Sequence, residues 1–185
     1  VISAPVFVNA AGLGASKFSP ELRISPKKGH LVITDRYEGL IGHQIAELGY
    51  AASAHSATGE SVAFNIQPRI TGQVLIGSSR QPGVSSTDTD RRIVGKMIDR
   101  AAQYMPALSD LKATRVWTGV RPATRDNIPY IGRSTTNKHV VVAAGHEGLG
   151  ITTATGTAEI VTDMILGRAS KIPVEPYSVE RDAGT

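Results

Sequence analysis

Cysteine is absent from the 185 residues. No disulfide, catalytic thiolate, iron–sulfur cluster or thiolate zinc site can therefore be built from this chain. Aromatic residues are scarce at 5%, which argues against a surface that stacks unpaired bases on ring faces. No apolar run reaches the roughly 18 residues needed to cross a bilayer. No charged segment leads into a short apolar one, so no secretory leader is visible and a cytoplasmic location is expected. The net charge is +4, but the basic residues fall in ones and twos, as at Lys27–Lys28 and Arg91–Arg92. With no basic block, nucleic acid is not expected as a partner. A mildly positive surface does suit an anionic substrate or cofactor.

Hydrophobic residues at 41% and charged residues at 19% are enough for a folded core. The patterning predicts an α+β fold. Val6–Ala10 reads as a buried strand, and Ala11–Gly14 as the turn that follows it. Leu31–Thr34 reads as a short strand. Val62–Ile66 and Gln73–Ile76 read as a hairpin, with Gly72 supplying positive φ in the loop. Ile93, Met97 and Ala101 recur at four-residue spacing, predicting a helix over 88–104, capped by Thr87 or Asp88 and stopped by Pro106. Thr114–Val120 alternates as a strand. Pro129–Gly132 is extended, Val140–Ala144 is a buried strand, and Thr152–Leu166 is a helix closed by Gly167. The tail from Ile172 is irregular. Val1 opens directly onto apolar β-formers, so the chain reads as part of a longer protein.

The sharpest local pattern is strand, glycine-rich turn, helix: Val140–Ala144, Gly145–Gly150, then the helix. Such a turn aims backbone N–H groups and a helix N-terminus at an anion or an electron-rich atom. Its glycines at 145, 148, 150 and 156 do not have dinucleotide-fingerprint spacing, and Lys17 breaks the same pattern after Gly12-Leu13-Gly14. No Gly-x-Ser-x-Gly elbow is present. His30, His43, His55, His139 and His146 share no metal-ligand spacing, so no metal is expected. His146 reads as a local hydrogen-bonding residue. The second pattern is Trp117–Gly132, in which a strand end delivers Arg121 just ahead of Pro122. An arginine held at a strand end suits two-pronged capture of a carboxylate, and it equally suits a surface salt bridge.

In order along the chain, Val8–Gly12, Pro26–His30, Gly119–Pro122 with Asp126, Pro129 and Ile131–Gly132, and Ala144–Thr152 with Ala154–Gly156 resemble the C-terminal part of an FAD-dependent amine oxidoreductase. The family is that of D-amino-acid oxidase, glycine oxidase and sarcosine oxidase. The wording is most similar to hydroxyproline or opine dehydrogenase-like subunits. The family's N-terminal βαβ unit, which holds the ADP half of FAD, has no counterpart in these residues. Gly148 also stands where some glycine oxidases carry an arginine.

The resemblance implies FAD as cofactor and hydride transfer from the Cα–H of a small amino or imino acid. It implies Arg121 as the residue binding the substrate carboxylate. It places Ala10, Ala11, Gly12, Gly148, Leu149, Gly150, Ile151 and Thr152 at the cofactor, with no room for a Cβ at Gly148 or Gly150. It divides the chain into the end of the FAD-binding domain (1–22), an antiparallel substrate domain (23–120), a flavin-proximal loop, strand and helix (121–170), and a tail (171–185). It implies as partners an N-terminal FAD-binding segment or other subunits of a multi-subunit dehydrogenase. The alternative is a subunit-interaction module that turns over nothing by itself.

Overall fold

The computed structural model describes residues 2–50 and 59–182. It divides into two compact units, one of residues 27–120 and one formed by residues 1–26 and 121–185.

In the unit of residues 27–120, β2 (Ser25–Arg36), β3 (Ile45–Ala46), β4 (Ser61–Pro68), β5 (Gln73–Pro82) and β6 (Ala113–Ala123) form one sheet in the order β3-β4-β5-β2-β6. β4 and β5 are the expected hairpin, and Gly72 in its loop has φ +79°. Alternate residues Phe64 and Ile66 of β4, Val74 and Ile76 of β5 and Val32 of β2 point to one face. There they meet α1 (Arg91–Tyr104) through Ile93, Met97 and Ala101, the residues whose spacing marks the helix.

The α1 cap is Asp90, not Thr87 or Asp88. Its carboxylate accepts from the N–H groups of Arg92 (3.0 Å) and Ile93 (3.3 Å). Asp88 is engaged instead by the Ser86 hydroxyl at 2.7 Å. β2 is also far longer than Leu31–Thr34. The Pro26–His30 segment that carries part of the family resemblance belongs to it: Lys27 and Lys28 pair with Pro82 and Gln81 of β5 and are 4% and 3% exposed. Pairing with a neighbour has overridden local composition.

The other unit is built on a three-stranded sheet in the order β1-β8-β7: β1 (Phe7–Asn9), β7 (Tyr130–Arg133) and β8 (Val140–Ala144). β1 runs parallel to β8, with Phe7, Val8 and Asn9 opposite Val140, Val141 and Val142. β7 is antiparallel to β8. α2 (Ala154–Leu166) follows β8 and ends, as expected, on Gly167 in the left-handed region at φ +66°. Tyr130, Val140, Val142, Ala144, Ala15, Leu22 and Val179 form the core.

β1 is not the buried strand that its composition suggests: Phe7 is 46% and Val8 40% exposed. The segment after it is a 3₁₀ helix, Gly12–Lys17, rather than a simple turn. Asn9 organises that helix from within. It is fully buried, and its amide donates to the Ala15 carbonyl and the Ser19 hydroxyl, both at 2.9 Å. β6 runs on through Arg121 and Pro122 to Ala123, so Arg121 lies within the strand rather than at its end. A proline is tolerated there because β6 is an edge strand. The tail contains short 3₁₀ turns at Glu175–Tyr177 and Val179–Asp182.

Candidate functional site

β1 and β8 are adjacent and parallel, so their carboxyl ends lie side by side. Ala10–Gly12 leaves one end and Gly145–Gly150 the other. These are the two glycine-bearing segments that the resemblance implies at the cofactor. Ligands of open α/β sheets bind outside the carboxyl ends of parallel strands. The last residues of β6 join the same place. Ala123 forms an isolated antiparallel bridge with His146, and the Glu147 N–H donates to the Pro122 carbonyl at 2.9 Å. A Cβ on Gly12 would lie 3.9 Å from the Pro122 ring. Three segments far apart in sequence are thus brought together.

The turn after β8 has a specific internal construction. Gly145 has φ +83°, and a Cβ there would lie 2.6 Å from Thr124 Cγ2. Glu147 is not a glycine but has φ +49°, a conformation that costs an ordinary residue energy and persists only where its surroundings impose it. Its Oε2 accepts from the Gly148 N–H at 2.6 Å, and its Oε1 lies 4.0 Å from Arg121 Nε. The Arg121 and Glu147 side chains are 24% and 13% exposed, so their charges are largely withdrawn from water. Cδ and Nε of Arg121 lie 3.7 Å from where a Cβ of Gly148 would stand. Arg121 therefore passes over the glycine turn, and the two sequence patterns lie against each other.

Gly148 and Gly150 differ from Gly145. Neither has positive φ, and a Cβ would meet only ordinary contacts, at 3.7 Å and 3.4 Å. The packing of this chain does not require glycine at either position. Leu149 N–H donates to the His146 carbonyl (3.0 Å), and Thr153 N–H to the Leu149 carbonyl (2.9 Å). Among the described residues, the N–H groups of Gly150, Ile151 and Thr152 have no acceptor. No side chain caps α2 at Thr153, and its first turn carries no acid. These groups form a cluster of donors at the positive end of a helix.

His146 Nε2 lies 2.9 Å from the Thr157 hydroxyl, the local hydrogen bond expected of it. Burial pushes its imidazole below the usual value, so it is neutral at pH 7. Beside it lies a mostly apolar cavity of about 410 Å³, lined in part by Ile128, Leu149, Thr152, Thr157, Ile172 and Tyr177.

The Glu147 contact and the support of the 124–129 loop leave no motif in the sequence. Arg181 from the tail meets Asp126 at 2.7 Å, donates to the Pro129 carbonyl at 3.3 Å, and lies 3.9 Å from the centre of the Tyr130 ring. The Arg181 hydrogen bond holds the Asp126 carboxyl down to about 2, from an ordinary value of 3.8. A depressed carboxyl contributes stability above its unfolded value and loses it as pH falls through the folded one. Asp126→Asn is therefore expected to melt below the parent protein above pH 3.8. The gap should be a few degrees, on the order expected for a partly exposed pair, and should close as pH falls toward 2. A gap unchanged across that window would show that the ion pair contributes nothing.

Among the described residues no group of histidines and carboxylates could hold a metal ion, and no helix is long and apolar enough to cross a membrane. His55 lies outside the described residues.

Comparison with known proteins gives one consistent family. The family described as DAO, FAD dependent oxidoreductase, matches residues 1–164. Glycine oxidase of Bacillus licheniformis is 35% identical over 117 residues, covering 63% of this chain and 32% of that protein. D-amino-acid oxidase of Streptomyces coelicolor is 30% identical over 157 residues, covering 84% of this chain and 45% of that protein. The crystal structure of glycine oxidase from Geobacillus kaustophilus superposes with a TM-score of 0.82 at 26% identity, covering 99% of this chain and 47% of that one. The chain thus spans less than half the length of these relatives.

Proposed function

The chain belongs to the DAO family of FAD-dependent oxidoreductases, and on that premise we propose that it carries the carboxylate-binding and flavin-edge part of an enzyme that oxidises a small amino or imino acid. The observation that carries this reading is Arg121, drawn over the Gly145–Gly150 turn at the carboxyl ends of β1 and β8.

The residues fit FAD. The donors at Gly150, Ile151 and Thr152 face no acceptor of their own, and the uncapped start of α2 favours an electron-rich partner. Glycine at 148 and 150 is unexplained by internal packing, and a closely approaching ring would explain it. FAD, when bound, supplies the acceptor for the substrate's Cα hydride. The part of this chain is to bind and orient. Arg121 holds the substrate carboxylate through paired N–H donors, which fixes the Cα–H direction. Burial keeps His146 neutral behind the turn, where its bond to Thr157 ties the turn to α2. Residues 27–120 serve in this reading as the substrate domain.

The test is anaerobic mixing of the FAD-loaded protein with glycine, sarcosine, D-alanine and hydroxyproline. At least one should bleach the visible flavin absorbance, and the matching amine without a carboxylate should be far slower. Bleaching by the amine within about threefold of the acid would overturn the reading.

A further inference from the structure

Arg121 by itself would accept any carboxylate. The structure sets a second charge beside it, and that charge cannot readily swing away. Glu147 is held at three points: its N–H on the Pro122 carbonyl, its backbone at φ +49°, and its Oε2 on the Gly148 N–H. The remaining oxygen, Oε1, is the one that lies 4.0 Å from Arg121 Nε. Pro122 directly follows Arg121, so the segment bearing the cation also anchors the anion.

We propose that Glu147 is the partner of the substrate's ammonium group, making Arg121 and Glu147 a matched pair that selects zwitterions over plain carboxylates. The inference rests on Arg121 as the carboxylate site and deepens that reading. An α-amino acid carries its two charges one carbon apart, a separation that suits adjacent sites of opposite sign. A plain carboxylate at Arg121 meets Glu147 as a like charge in a partly desolvated place, where charge interactions are strong. A zwitterion turns the same contact into an attraction. Glu147 thereby acts on specificity, and its fixed carboxylate also sets the direction of the Arg121 side chain.

Isobutyrate and 2-aminoisobutyrate test this, because they share a skeleton and differ in the ammonium group. The second has no Cα–H and cannot be oxidised by hydride loss. Binding of each to the FAD-loaded enzyme is read from the shift in the flavin's visible spectrum, without turnover. The unmodified enzyme should prefer 2-aminoisobutyrate. Equal or reversed preference overturns the proposal and needs no variant. Glu147→Gln keeps an acceptor for the Gly148 N–H and removes the charge. It should bind isobutyrate about tenfold more tightly and 2-aminoisobutyrate about tenfold more weakly. Glu147→Asp keeps the charge and should keep the parent's order of preference. If both ligands move in the same direction in Glu147→Gln, or neither moves, Glu147 is only a structural strap and the proposal fails. Arg121→Ala, run alongside, should weaken both ligands. If it weakens neither, the Arg121 reading has failed and this inference falls with it.

Discussion

Replacing Arg121 by alanine is expected to lower kcat/KM for an amino-acid substrate by about 30-fold to several-thousand-fold, the loss of roughly 2–5 kcal/mol for a charge-assisted pair in a partly desolvated site. The side chain is 24% exposed and lies against Gly148, so an alanine leaves a gap that water fills poorly. Because the contact aligns the Cα–H as well as binding substrate, kcat should fall along with affinity. Arg121→Lys keeps the charge and loses the planar fork, so it should recover only part of the loss. Arg133 is a suitable control: its guanidinium is already engaged elsewhere, donating to the carbonyls of Lys138 (3.2 Å) and Met164 (3.1 Å). Arg125 is a second. Steady-state rates for an acid and its decarboxylated amine decide the matter. An Arg121→Ala enzyme within about threefold of the parent on the acid would end the carboxylate assignment.

Gly145→Ala is expected to destabilise the fold by about 2–5 kcal/mol, combining a residue forced to positive φ with an overpacked contact. The backbone there is at φ +83°, and the new methyl would lie 2.6 Å from Thr124 Cγ2, with the buried Tyr130 ring next in line at 3.5 Å. Thr124 is 4% exposed and Tyr130 1%, so neither has open space to move into. In a chain of this length the melting temperature should drop by roughly 5–15 °C. Gly148→Ala is the internal comparison. It has no positive φ and no close contact, so its stability should stay within about 0.5 kcal/mol of the parent. Thermal melts that show Gly145→Ala equal to Gly148→Ala would refute the argument.

The elements with a regular pattern were legible from the residues alone. The apolar run Val140–Ala144, the spaced Ile93, Met97 and Ala101, and the closing Gly167 each name their element, because burial of one face or one special φ dictates the residue type. Local pattern carries no signal where a distant partner decides. Lys27 and Lys28 enter a strand because β5 offers them a ladder. Asp90, rather than Asp88, caps α1 because Ser86 and the helix start share out the two carboxylates. Within the candidate site, Arg121 and the Gly145–Gly150 turn stand out as separate patterns. Their juxtaposition comes from the Pro122–Glu147 hydrogen bond and the Ala123–His146 bridge, neither of which leaves a periodic trace. Glu147 was the least legible of all, because positive φ normally announces itself through glycine or asparagine.

The parallel pairing of β1 with β8 also constrains how the chain can fold. Phe7 must find Val140, with residues 27–120 intervening as a separate compact unit. The β7–β8 hairpin is local and closes a short loop, whereas β1 closes a very long one. That entropic cost falls once the intervening residues have collapsed, since a compact insertion shortens the effective loop. Docking of β1 is therefore the high-contact-order event of this topology, the kind that slows folding. Damage to the core of residues 27–120 would then delay the moment at which the Ala10–Gly12 and Gly145–Gly150 turns come together, without touching either turn.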